Sequence, residues 1–214
     1  MNYTREQIAA ALDLAVLKPT TTEHHIWVAC NLASHHGIKS VCVLPCNVAL
    51  AAKYFDNVST VIGFPLGTST PDSKYAEAND AIGNGARELD VVINYGRLLD
   101  RELRYVSRDL ENIVDVAHPV LVKAVLETCY LSPDEIRTAC KLCVDAGVDF
   151  VKTSTGFGPH GATPQAVNII RDALIGTRVQ IKASGGIHTY ADAARYLDLG
   201  CARLGSSRFK EVLP

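Results

Sequence analysis

What the 214-residue sequence lacks narrows its class first. No apolar run approaches the ~20 residues of a membrane span. The polar start Met1-Asn2-Tyr3-Thr4-Arg5-Glu6-Gln7 has none of the apolar stretch of a secretory signal. No excess of one charge is present, with 21 Lys and Arg against 23 Asp and Glu for a formal net charge of −2. A general nucleic-acid binder shows a basic face instead, so neither nucleic acid nor membrane is an expected partner. The 7 cysteines lack the even framework of a small secreted domain. Cys140-Lys141-Leu142-Cys143 is the one CxxC; without a second pair it reads as two thiols packed on a helix, not half a zinc site. His24, His25, His35, His36, His118, His160 and His188 form no HExxH and no ligand spacing, so no metal and no cofactor is expected. These absences together point to the cytoplasm.

What is present is ordinary globular material, 48% apolar and 21% charged with 15 glycines. Apolar, β-branched runs recur: Ser40–Leu44, Thr60–Phe64, Leu89–Ile93, Val120–Leu126, Phe150–Ser154 and Val179–Ala183. They are nearly continuous, which is how strands buried on both faces of a parallel sheet read. Helical patterns lie between them at Tyr75–Ala86, Leu103–Ala117, Asp134–Ala146, Thr163–Leu174 and Tyr190–Leu199. Thr70-Pro71, Ser132-Pro133 and Thr163-Pro164 place a capping hydroxyl before a proline suited to the first helical turn. A first strand at Leu14–Leu17 and a last at Ala202–Gly205 complete about eight β-α units. That is the count of a TIM (β/α)8 barrel, here with a short N-terminal helix (Thr4–Leu12) and a short final helix (Arg208–Pro214). A doubly wound sheet shares the local grammar but fits the strand count less well. No linker divides the chain, so one domain over residues 1–214 is expected.

Three of these strands carry a lysine: Lys123, Lys152 and Lys182. A lysine at a strand end can snorkel into solvent, but three in consecutive strands of one barrel favour a site at its carboxyl face. Two nearby, partly desolvated ammonium groups lower each other's pKa. A lysine so tuned attacks a carbonyl as a neutral amine and forms a Schiff base, which is aldolase chemistry. Asp90, inside Glu88-Leu89-Asp90-Val91-Val92-Ile93-Asn94, is either a structural partner for these lysines or a proton relay. Ser184-Gly185-Gly186 after one strand and Gly205-Ser206-Ser207 after the last fall where this barrel keeps its phosphate pocket. Gly156-Phe157-Gly158-Pro159-His160-Gly161 satisfies GxGxxG, yet its internal proline and distant helix start make it a mobile loop and not a dinucleotide site.

These residues resemble the deoxyribose-phosphate aldolase family over nearly the whole chain. The likeness is carried by Val61–Gly67, Glu88–Asn94 and Lys123–Thr128, and most specifically by Phe150–Phe157 and Ile181–Ile187. It implies a TIM barrel that reversibly cleaves 2-deoxy-D-ribose 5-phosphate to D-glyceraldehyde 3-phosphate and acetaldehyde. By matching position it implies Lys152 as the Schiff-base lysine, Lys182 as the second lysine and Asp90 as the acid/base carboxylate. The expected substrate- and phosphate-binding set is Gly156, Ser184, Gly185, Gly186, Gly205 and Ser207, with Asp13 and Lys123. Ala15 stands where many relatives have a threonine. The rival readings are an aldolase or isomerase for another sugar phosphate, and a non-catalytic sugar-phosphate-binding barrel. A stub too short to cover the last strands leaves apolar surface exposed, so a homodimer is expected.

Overall fold

The computed structural model describes residues 3–213. Eight parallel strands close into a barrel in chain order: β1 (Leu12–Val16), β2 (Ser40–Val43), β3 (Val58–Ile62), β4 (Glu88–Val92), β5 (Leu121–Val125), β6 (Phe150–Lys152), β7 (Gln180–Ser184) and β8 (Arg203–Ser206). Parallel neighbours require crossovers, and helices supply them. Helix α1 (Arg5–Ala9) precedes the barrel. The others are α2 (Glu23–His36), α3 (Val48–Ala51), α4 (Pro71–Gly83), α5 (Tyr95–Leu99), α6 (Leu103–Ala117), α7 (Pro133–Ala146), α8 (Pro164–Ala173), α9 (Tyr190–Asp198) and α10 (Phe209–Val212). The TIM barrel and a short helix at each end match the sequence expectation; the expected final helix is shorter, Phe209–Val212, and its Pro214 end lies outside the described residues.

Helix starts follow the capping chemistry. Ser132 and Glu135 form a full capping box on α7, and Thr163 Oγ1 accepts the Ala166 N–H at 3.1 Å on α8. Strand ends are less legible. The apolar run through Phe64 continues past β3, but Gly63 turns to φ +62 and ends the ladder at Ile62. Likewise α1 stops at Ala9, so Leu12 opens β1 two residues before the expected Leu14.

The main core lies between sheet and helices. Val41, Leu89, Val91, Ala124, Val151 and Leu204 meet Ile26, Ala78, Ile113, Ile136 and Val167 there, all buried. Each such aliphatic contributes about 1.5–3 kcal/mol relative to exposure, which holds short helices that propensity alone would not. Cys140 and Cys143 sit buried on α7, as two packed thiols; burial pushes the Cys140 thiol up to about 12. Strand alternation sends the intervening residues inward, and there the barrel is charged.

Among the described residues, the expected exposed apolar surface at the chain's end is absent. Val212 and Leu213 are buried, and α10 packs on α9. Helix α1 fills the neighbouring space with buried Ile8 and Ala9, tied down by the Tyr3 N–H to Tyr190 Oη at 3.0 Å. Short helices suffice because each presents its few apolar residues to the same seam.

Candidate active site

Period two along β4 turns Leu89 and Val91 outward and Glu88 and Asp90 inward. The same alternation brings Asp13 of β1, Lys123 of β5, Lys152 of β6, Lys182 of β7 and Arg203 of β8 into the barrel. Parallel register then aligns Asp90 with Lys123, Lys152 with Lys182, and Lys182 with Arg203 on neighbouring strands. All seven side chains are buried.

Their contacts form a closed circuit. Arg203 donates to Asp13 and, at 2.5 Å, to Glu88 Oε1. Asp13 pairs with Lys182, whose Nζ donates to Asp90 Oδ2 at 2.7 Å. Asp90 Oδ1 accepts from Lys123 Nζ at 2.8 Å, and Lys123 reaches Glu88 Oε2 at 2.6 Å, back to Arg203. Six charges of alternating sign therefore balance. Lys152 joins from outside the circuit, donating at 2.7 Å to the same Asp90 oxygen that Lys182 uses.

The electrostatics differ from the expectation of two lysines lowering each other. Burial alone pushes Lys182 down, but the carboxylates of Asp13 and Asp90 outweigh it and raise its pKa above the ordinary lysine range. Lys182 is thus held as an ammonium. Burial pushes Asp90 up, yet the ammonium groups of Lys123, Lys152 and Lys182 overcome that and keep its carboxyl well below the usual range. Asp13 and Glu88 are lowered too, against their own desolvation, chiefly by Lys182 and Lys123 respectively.

A cavity of about 930 Å³ opens over this floor at the carboxyl ends of the strands. Its walls include Lys152, Lys182, Asp13, Gly156, Ser184, Gly185, Gly186, Gly205 and Ser207. Lys123 and Asp90 are not among its lining residues. Lys123, expected to touch substrate, is instead buried at 0% exposure in the layer beneath, because its strand position lies one layer lower than Lys152. Asp90 reaches the cavity only through the two lysines it joins.

The glycines at one end are required by close packing. Gly185 sits at φ +80, and a Cβ on Gly161 would fall 2.2 Å from the Gly185 carbonyl oxygen. A Cβ on Gly205 would fall 2.8 Å from Ser184 Cβ. Ser184 Oγ–H is engaged with the Ser154 carbonyl at 2.5 Å, and Ser206 Oγ–H with Ile187 at 2.6 Å. Ser207 remains exposed on the wall with Arg208 beside it. The start of α9 is not open to an anion: Asp192 already accepts the N–H groups of His188 and Thr189 at 3.1 and 3.0 Å. The loop glycines and Arg208, not that helix, face the cavity. Across the mouth, Phe157 meets Phe64 edge-on at 5.1 Å between centroids.

Sequence reading overlooked Glu88, Arg203 and Glu127. Glu88 and Arg203 stand two residues before Asp90 and Gly205, so the two-residue period was a usable signal. Glu127 carried none. It sits at φ +55 and accepts the Thr155 N–H and Oγ1–H, bracing the loop beside Lys152.

The comparisons with known proteins agree with this geometry. The DeoC/LacD family aldolase profile matches residues 8–204. The deoxyribose-phosphate aldolase of Exiguobacterium sibiricum is 44% identical over 205 residues, covering 94% of this chain and 92% of that protein. That of Thermococcus gammatolerans is also 44% identical, over 208 residues, with 94% and 92% covered. The solved deoxyribose phosphate aldolase of Aeropyrum pernix, described as tetrameric, superposes with a TM-score of 0.90 at 30% identity, covering 98% of this chain and 91% of its own. A closed eight-stranded barrel with paired lysines on its floor and this likeness along almost its full length place the chain in the DeoC/LacD aldolase family.

Proposed function

We propose that the chain, acting over residues 1–214 as one catalytic domain, reversibly cleaves 2-deoxy-D-ribose 5-phosphate to D-glyceraldehyde 3-phosphate and acetaldehyde. The observation that carries this reading is the pair Lys152 and Lys182 sharing one Asp90 oxygen on the cavity floor. Lys152, as the free amine, attacks the C1 aldehyde of the open-chain sugar. The resulting carbinolamine loses water to give an iminium, and the ammonium of Lys182 supplies the proton for that loss. Lys182, left as the free amine by that step, takes the proton of the C3 hydroxyl, the C2–C3 bond breaks, and its electron pair passes to the iminium as an enamine. Glyceraldehyde 3-phosphate leaves; the Lys182 ammonium gives its proton to C2, and water adds to the iminium, returns a proton to Lys182 and releases acetaldehyde, which regenerates Lys152. Asp90 balances these transfers by accepting from both lysines, so it works through them. Ser207, Arg208 and the N–H groups of Gly185, Gly186 and Gly205 surround the phosphate.

The partners on this reading are a sugar phosphate and an aldehyde, and the assembly is a homodimer in the cytoplasm, supported not by the chain's end but by exposed Trp27, Tyr54, Tyr75 and Tyr130 elsewhere on the surface. Incubation with 2-deoxyribose 5-phosphate should release glyceraldehyde 3-phosphate, read by a coupled dehydrogenase, and Lys152→Ala should abolish release. No turnover by the unaltered chain, or full turnover by Lys152→Ala, refutes the assignment. Light scattering across a dilution series tests the assembly; a monomer mass at micromolar concentration contradicts the dimer.

A further inference from the structure

Among the described residues, Lys152 is the one charge in the barrel that the circuit does not balance. Arg203, Lys182 and Lys123 face Asp13, Asp90 and Glu88 in equal number; Arg203 and Lys182 each have two carboxylate partners within the circuit, and Lys123 has three, Asp13 being 3.9 Å away. Lys152 has Asp90 alone. A proton on Lys152 therefore leaves one uncompensated charge in a buried site, where such a charge is costly. Releasing that proton returns the cluster to neutrality and yields the nucleophile.

We infer that Arg203 is a positioning residue for the reaction: from beneath the cavity it sets the charge balance that governs when Lys152 becomes the free amine. Arg203 is buried on β8 and absent from the wall of the catalytic cavity, so it touches no substrate there. It acts by fixing Asp13 and Glu88, which in turn hold Lys182 and Lys123. Its packing supports the same geometry, the guanidinium lying 5.8 Å from the Phe150 ring centroid. The other titratable groups facing Lys152 are Asp90 from β4, Lys182 from β7 and the Cys42 thiol from β2, which burial raises and so keeps uncharged. None of these is altered by the test below.

Lys152 and Arg203 stand on strands two apart, about 10 Å at the usual strand spacing. One unit of charge at that distance moves the acid limb of the rate profile by about one pH unit. The sign depends on which charge is removed. Arg203→Met leaves the circuit one negative in excess, favours the protonated amine, and should move the limb up. Glu88→Gln leaves it one positive in excess and should move the limb down. The double variant removes one charge of each sign and should return the limb to its original position. Arg203→Lys should also keep it there.

This inference rests on the proposed Schiff-base reading, and the experiment separates the two. The pH dependence of kcat for 2-deoxyribose 5-phosphate cleavage is measured for the unaltered protein and the four variants. Borohydride trapping with acetaldehyde is run on each. If the unaltered protein is not trapped, the Schiff-base reading fails. If it is trapped but the single variants shift in the same direction, or the double variant fails to restore the limb, the role of Arg203 is overturned. Should Arg203→Met not fold, Glu88→Gln and the double variant carry the same opposition of sign: an unmoved limb in Glu88→Gln overturns the inference.

Discussion

Replacing Asp90 by asparagine keeps its shape and removes its charge. Three ammonium contacts end on that carboxylate, at 2.8, 2.7 and 2.7 Å, and all three lysines are buried. Breaking a buried ion pair by removing one partner costs about 3–5 kcal/mol, because the remaining charge stays desolvated. Lys123 and Lys182 keep Glu88 and Asp13 as partners, so the expected loss is near 3 kcal/mol, a shift of about 1–2 M in the urea midpoint. Turnover should fall about 10²–10⁴-fold, the usual worth of a positioned proton-transfer group. The stability loss should depend on pH in one direction. The folded pKa of Asp90 is depressed, so its contribution is fully present above the ordinary aspartate value of about 4 and is lost as pH falls through the folded value. Urea titrations at neutral and strongly acidic pH therefore show a gap that narrows in acid. A midpoint shift under about 0.3 M at pH 7, or a gap that widens in acid, refutes the reasoning.

Lys182→Met should slow turnover strongly yet leave Lys152 open to borohydride trapping. Burial lowers Lys182 but Asp13 and Asp90 raise it overall, so its charge stabilises below about pH 10.4 and that contribution is lost as pH rises through the folded value; urea titrations should show the variant's deficit narrowing only at strongly alkaline pH. Gly205→Ala places a Cβ 2.8 Å from Ser184 Cβ, an overpacking of about 1–3 kcal/mol that should raise KM about tenfold with a smaller effect on kcat. Lys74→Met removes the fully buried partner of Asp109, 2.5 Å away, and should destabilise by about 3–5 kcal/mol in urea while trapping at Lys152 persists.

Most of the fold was legible because its signals are local. Caps at Ser132 and Thr163, and β-branched runs broken at regular intervals, report on the chain within a few residues. The lysines were legible for the same reason, a charge inside an apolar run being visible without knowing its partner. Their electrostatics were not. The partners of Lys182 lie on β1 and β4, and only barrel closure shows that Asp13 and Asp90 outweigh the cost of its burial. Lys123 was misjudged because a strand position shows which face a side chain takes but not its depth in the barrel. Lys74 went unnoticed on α4, where a lysine reads as solvent-facing, although it reaches the Val92 carbonyl at 2.8 Å.

The central claim is that Lys152 carries the covalent step. It is tested most directly by borohydride reduction in the presence of acetaldehyde, followed by peptide mass mapping of the whole protein. One ethyl group is expected, on Lys152, with no modification of the Lys152→Ala protein. An ethyl group on Lys182 in the unaltered protein, or no adduct at all, would contradict it.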